Sequence, residues 1–280
     1  MKKILVPTDF SKFALNAAKL AANIAKKFDA RIYFLHIVSM PQYETGIIPG
    51  QSSQDVAEGL FILKKVKMDF EKLISQDFLK GVNYATAIQY DGVYDSVVSQ
   101  AKKHDIDLIV MGTHGTSGYV NDYFIGSNTD KIVRLSDTPV LTTREEVVNP
   151  KFDKIVFASH FGDGIGNSFR KIAEMAIKLE ANIDLVRIIT RDDFYFSGPM
   201  LDAMELFAKE HGLSNYNCHV YAAESVQIGI NEFAQRRNAD MITTITHGRR
   251  GLARLFNGSV TSDVMKSSPL PVLSIRADKK

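Results

Sequence analysis

Cysteine is nearly absent. Cys218 stands alone among 280 residues, so no intrachain disulfide can form, which fits a reducing compartment. The residue itself reads as a small strand side chain rather than a nucleophile. Long apolar runs are also missing. No stretch approaches the roughly 20 residues that cross a bilayer, and Met1-Lys2-Lys3 leads straight into a strand with no signal-like apolar segment. The expectation is a cytoplasmic protein without a membrane partner. Charge of one sign is scarce: 34 Lys and Arg oppose 32 Asp and Glu for a net +2, so no basic field advertises nucleic acid. Neither a Ser/His/Asp nor a Cys/His nor a two-metal grouping occurs at useful spacing, and no compact metal-ligand cluster is visible.

What is present is an ordinary globular composition, 45% hydrophobic and 24% charged, in a chain long enough for two domains with a core each. Residues 107–128, DLIVMGTHGTSGYVNDYFIGSN, organise the chain. Leu108 to Met111 has the pattern of a strand buried on both faces. Gly112, Thr113, His114 and Gly115 follow, then a polar loop, then Gly126 and Ser127, then the helical period of Ile132, Val133 and Leu135. A strand entering a glycine-bearing turn and then a helix start suits a phosphate, because glycine admits close backbone approach and first-turn N–H groups point at the anion. The glycine spacing is not that of the dinucleotide fingerprint, and no Gly-Lys-Ser/Thr follows to make a P-loop.

The rest of the first half alternates strand and helix. Residues 3–9 are a short strand stopped by Pro7, and Ser11 is placed to cap a helix running to about Lys27. Its inner face is Ala14, Ala17, Ala18, Ala21, Ile24, Ala25 and Phe28. A strand at 31–38, a long Pro- and Gly-bearing loop at 39–54 and a helix at 55–76 come next. That helix is expected to turn Leu60, Leu63, Val66, Phe70 and Leu73 inward. A strand at 82–90, a helix at 93–104, the central strand, its helix and a strand at 139–143 complete the unit. Five strands alternating with four helices imply a parallel sheet with helices on both faces, hence an α/β fold. Residues 144–151, REEVVNPK, suit a linker.

The pattern then restarts. KILVPTDF at 3–10 returns as KIVFASHF at 154–161, His114-Gly115 as His247-Gly248, Gly126-Ser127 as Gly258-Ser259, and Pro139-Val140-Leu141 as Pro271-Val272-Leu273. Ordered matches of this kind indicate a duplicated domain, shortened in its second copy near the second loop and helix. The domains are expected at 1–145 and 152–280.

The glycine loop resembles the Gly-x2-Gly-x9-Gly-Ser/Thr signature of the universal stress protein family. Gly112 and Gly115 fit it, with ten residues rather than nine before Gly126, and the second copy keeps Gly248, nine residues, then Gly258-Ser259. The resemblance covers nearly all of both halves. It implies two tandem doubly wound five-stranded parallel-sheet domains of strand order 3-2-1-4-5, in the adenine nucleotide alpha hydrolase-like class. It also implies a site for ATP or AMP, with or without Mg2+, at the carboxyl ends of strands one and four. Carried over residue by residue, the nucleoside would meet Pro7, Thr8, Asp9 and Ile37. Met111, Gly112 and Gly115 would line the ribose and phosphate path, and Gly126, Ser127, Asn128 and Thr129 would present N–H groups and a hydroxyl to the phosphates.

The second half departs where it matters. Ala158, Ser159 and His160 replace Pro7, Thr8 and Asp9, Ile245 replaces Gly112, and Arg187 replaces His36. An anion-binding remnant is expected at Gly248, Gly258, Ser259, Val260 and Thr261, with nucleotide bound weakly or not at all. His114 and His247 read as hydrogen-bonding turn residues and His36 as packed. The leading expectation is a stress-responsive nucleotide-binding regulator, with slow ATP hydrolysis at most. A nucleotide-independent interaction scaffold is the alternative, in which the glycines are architectural. Its halves would join as an intramolecular pseudo-dimer through their fifth strands, and a homodimer is also expected. An adenylyl transferase or ATP pyrophosphatase ranks third, since neither of the motifs those enzymes need is present.

Overall fold

The computed structural model describes residues 1–38, 53–90, 92–114, 126–148, 150–162, 164–191, 193, 199–246 and 260–277. In the first half β1 (Lys3–Pro7), α1 (Lys12–Phe28), β2 (Arg31–Ile37), α2 (Ser53–Ile74) and a 3-10 turn (Asp77–Leu79) lead to β3 (Tyr84–Gln89). Then come α3 (Val93–Lys103), β4 (Leu108–Gly112), α4 (Ser127–Leu135) and β5 (Val140–Thr143). The second half repeats the order with β6 (Lys154–Ala158), α5 (Gly166–Leu179), β7 (Asn182–Ile189), α6 (Met200–Glu210), β8 (Tyr216–Ala222), α7 (Val226–Arg236), β9 (Met241–Thr246), α8 (Val260–Ser267) and β10 (Val272–Arg276).

Each half is a parallel five-stranded unit, β3-β2-β1-β4-β5 and β8-β7-β6-β9-β10, the strand order expected from the resemblance. The two units continue into one ten-stranded sheet, because β5 and β10 pair antiparallel with Leu141 opposite Leu273. Strand side chains alternate between two apolar layers. Ile4 and Val6 join α1, α2, α5 and α6 on one face, while Leu5 joins α3, α4, α7 and α8 on the other.

Helix α1 forms as its sequence predicts. Ser11 caps it through Ala14 N, and every alanine of the expected inner face is buried, as are Ile24 and Phe28. Helix α2 differs from expectation. Val66, Phe70 and Leu73 are buried, but Leu60 is 62% exposed. Residues 57–61 are exposed all round, so among the described residues no layer covers these turns, and helical period alone does not bury a leucine. Most of the loop expected at 39–54 lies outside the described residues.

Candidate nucleotide site

The carboxyl end of β1 is built by local hydrogen bonds. Thr8 N continues the ladder to Leu35 O at 2.8 Å, and Thr8 Oγ1 then accepts from Phe10 N at 3.1 Å. That turn holds Phe10 at φ 62°, a left-handed conformation uncommon for a bulky residue. Asp9 Oδ1 accepts from Ser11 N at 3.0 Å, so Asp9 and Ser11 share the entry to α1. His36 Nδ1 donates to Thr8 O at 2.8 Å, which assigns the ring proton, and the imidazole stacks on Phe10 at 4.8 Å. His36 is packed and bonded, as its strand-end position suggests. Ile37 ends β2 beside Gln89 and is half-buried.

The carboxyl end of β4 lies beside β1 in the sheet. Met111 is buried against α3 and α4. A Cβ placed on Gly112 would lie 2.8 Å from Phe13 Cβ and 2.9 Å from the Phe13 carbonyl carbon. What this missing side chain admits is therefore the backbone of α1, a requirement of packing that holds whether or not a ligand binds. Thr113 Oγ1 bonds His114 Nδ1 at 2.9 Å, and the His114 ring lies 5.0 Å from Phe13, so this histidine is hydrogen-bonded and packed against α1.

After residues 115–125, which with Gly115 lie outside the described set, the chain returns to where β4 ended. Gly126 N donates to Thr113 O at 2.9 Å, and Thr129 Oγ1 donates to Gly112 O at 3.2 Å. Gly126 caps α4 without a side-chain bond, and Ser127 and Asn128 are exposed. The first-turn N–H groups have no intrahelical acceptor, so this end carries partial positive charge at the carboxyl edge of the sheet. Pro7, Thr8, Asp9, Met111, Gly112, Gly126, Ser127, Asn128 and Thr129 thus come from two neighbouring strand ends and one helix end.

The second half keeps the scaffold and changes the groups. Phe161 N donates to Ser159 Oγ at 3.1 Å and Phe161 sits at φ 54°, the same strained turn as at Phe10. The His160 ring lies over Gly162, where an added Cβ would be 2.7 Å from Nε2. Arg187 Nη1 donates to His160 O at 3.0 Å. Thr261 Oγ1 donates to Thr244 Oγ1 at 3.3 Å, anchoring α8 much as Thr129 anchors α4. Val260 begins α8, while His247, Gly248, Gly258 and Ser259 lie outside the described residues.

A single family profile, that of the universal stress protein family, matches residues 1–144 and again 151–276. The chain belongs to the universal stress protein family. A universal stress protein of Methanocaldococcus jannaschii is 34% identical over 150 residues, covering 51% of this chain and 82% of that protein. One from Synechocystis is 22% identical over 293 residues, covering 99% of this chain and 100% of that protein, so that similarity runs through both halves. The crystal structure of a universal stress protein from Archaeoglobus fulgidus superposes with a TM-score of 0.72 at 18% identity over 98% of both chains, which shows a shared fold.

Two features of this universal stress protein escaped sequence reading. The left-handed Phe10 and Phe161 follow Thr-Asp and Ser-His, and the repeated hydroxyl-x-Phe spacing was the available signal. The other is a pair of arginines at the junction of the halves. Arg144 Nη1 donates to Lys266 O in α8 at 3.1 Å, and Arg276 Nη1 donates to Leu135 O in α4 at 2.9 Å. Both stand at the ends of the fifth strands, where the repeat aligned them but gave no sign that each crosses to the other half.

Proposed function

We propose that the first half, residues 1–145, binds ATP or AMP and that occupancy regulates the protein in a stress response. The nucleoside lies against Pro7, Thr8, Asp9 and Ile37, the ribose and phosphates pass Met111, Gly112 and Gly115, and the phosphates meet Gly126, Ser127, Asn128 and Thr129. One observation carries this reading. The exposed first turn of α4 is docked on the end of β4 next to β1, where the strand order reverses, the place at which open α/β sheets hold their ligands. The donors suit a polyphosphate: backbone N–H groups and a hydroxyl at a positive helix end, with Asp9 as an acceptor for sugar hydroxyls. No group of three or more His, Cys, Asp or Glu side chains suited to a metal occurs among the described residues. An accompanying Mg2+ would thus be held chiefly by the phosphates.

The second half, residues 152–280, is read as a degenerate copy that binds nucleotide weakly or not at all. Its Gly248, Gly258, Ser259, Val260 and Thr261 are kept as a remnant for a simple anion. The halves act as an intramolecular pseudo-dimer through their fifth strands, a homodimer remains part of the reading, and the protein works in the cytoplasm. No described helix is long and apolar enough to cross a membrane.

Titration of nucleotide-stripped protein with ATP tests the site. Saturable binding is expected for the wild type and its loss for Gly126→Val. A Cβ at Gly126 has only ordinary contacts, with neighbours at 3.7 Å, and the valine methyls beyond it are expected to crowd the exposed amides of the first turn. The interaction-scaffold reading also has an observation behind it, the use of Gly112 to seat α1. A wild type with no saturable binding leaves that reading in place of the nucleotide site.

A further inference from the structure

Helix α4, which carries the first turn assigned to the phosphates, is not held by its own half alone. Near its start, Asp130 Oδ1 accepts a hydrogen bond from Ser262 Oγ of α8. At its end, Arg276 of β10 donates to Leu135 O and also reaches Asp137 Oδ1 at 3.2 Å. Between these points α4 packs on β10. We propose that Ser262 and Arg276, both from the second half, are positioning residues for the phosphate-binding helix of the first half. The inference rests on the nucleotide reading given above, and it assigns the second half a task that its own altered strand ends do not require.

The geometry gives each residue a distinct task. Asp130 lies in the first turn of α4, where a loose carboxylate would compete with phosphate for the same amides. The Ser262 hydroxyl, with the Arg134 guanidinium at 3.4 Å, holds that carboxylate at the junction with the second half. Arg276 fastens the opposite end through the last carbonyl, where a cation also complements the helix dipole. A helix pinned at both ends keeps its amide groups aimed, and displacements of about 1 Å weaken such recognition. The junction also supplies its own control. Lys178 crosses the same junction 5.0 Å over the Phe28 ring, on the face of the sheet opposite α4 and α8.

The test uses the full-length chain, with ATP affinity and amide hydrogen exchange measured on the same variants. Ser262→Ala and Arg276→Gln are each expected to weaken ATP binding roughly fivefold and to speed exchange at the hydrogen-bonded amides of α4, from Asp130 to Leu135. Ser262→Thr, which keeps the hydroxyl, is expected to restore both. Lys178→Gln is expected to leave ATP affinity within about twofold of the wild type and exchange in α4 unchanged. Unchanged affinity and exchange in Ser262→Ala and Arg276→Gln overturn the proposal. So does an equal loss of affinity from Lys178→Gln, since that marks a general loosening where the halves join. If the wild type binds no ATP, the nucleotide reading is what fails, and exchange alone decides the positioning: faster exchange confined to α4 upholds it, and no change in α4 overturns it.

Discussion

Asp184 shows at the residue scale how the halves have diverged in chemistry on one scaffold. It is a buried carboxylate on β7 that accepts from Arg237 Nε at 2.7 Å, from Asn217 Nδ2 at 2.8 Å and from His219 Nε2 at 3.3 Å. Its counterpart in the first half is Tyr33, which stacks on His104 at 5.6 Å. His104 and Arg237 are both the C-caps of the corresponding helices. An aromatic stack in one copy is thus an ion cluster in the other. Burial alone would push the Asp184 carboxyl up, but hydrogen bonds from Arg237 and Asn217 and the guanidinium charge outweigh it and hold it below its ordinary value. A depressed carboxyl stabilises the fold above its unfolded value of about 3.9, and that share is lost as pH falls through the folded value. Arg237→Ala leaves the carboxylate buried without its main partner. The expected cost is about 2 kcal/mol near neutral pH, reduced from the fully buried case because the Arg237 side chain is 42% exposed. The loss shrinks in acid, once Asp184 is protonated in the variant. Urea midpoints measured across pH check this, and a midpoint unchanged at every pH contradicts it. Cys218 needs no comparable role, since burial, with Glu205 adding to it, pushes its thiol up to about 11, leaving little thiolate at neutral pH.

At the element scale, the fit of α1 to β4 decides how closely the candidate site can be built. Small residues on α1 let it lie low on the sheet, and Gly112 lets its first turn touch the strand end. Gly112→Ala is expected to destabilise by about 1–3 kcal/mol through overpacking. Phe13→Ala should give no relief, because the atoms struck are the Cβ and carbonyl of Phe13 and not its ring. Denaturant midpoints of the single and double variants test this, and rescue by Phe13→Ala would place the conflict in the ring instead. The second half has Ile245 at the matching strand end, and α5 begins only at Gly166 with a buried Ile165 before it. Helix start and strand end have changed together.

At the scale of the whole molecule, two copies of one unit are joined through a seam of their own counterparts. Leu141 opposes Leu273, Asp130 meets Ser262, and Arg144 and Arg276 exchange helix ends. Lys27 lies 5.6 Å over the Phe152 ring and Lys178 lies 5.0 Å over the Phe28 ring, beside an apolar crevice that both halves line. With the sheet hydrogen-bonded across this seam, the halves are expected to unfold in one transition. Far-UV circular dichroism and exchange at β2 and β7 should give coincident denaturant midpoints. Two separated transitions would show that the seam does not couple the cores.

Much of this was legible from the chain. Apolar runs and helical spacing placed the elements because burial on two faces and on one face leave different periods in sequence. Ordered recurrence of short motifs revealed the duplication, and the glycine loop carried the family resemblance. Local capping was also readable, since Ser11 acts within its own turn. The exposure of Leu60 was not, because period says which face is apolar and not whether another layer lies under it. Nor were the neighbour of Gly112, the ion cluster at Asp184 and the exchange of arginines across the seam. Each depends on residues far apart in sequence whose distances are set only when helices settle on the sheet and one edge strand finds the other. The chain by itself determined what the parts are and that there are two of each. Only the tertiary structure decided which half steadies the other, because side-chain reach and close packing exist only once the parts are in contact.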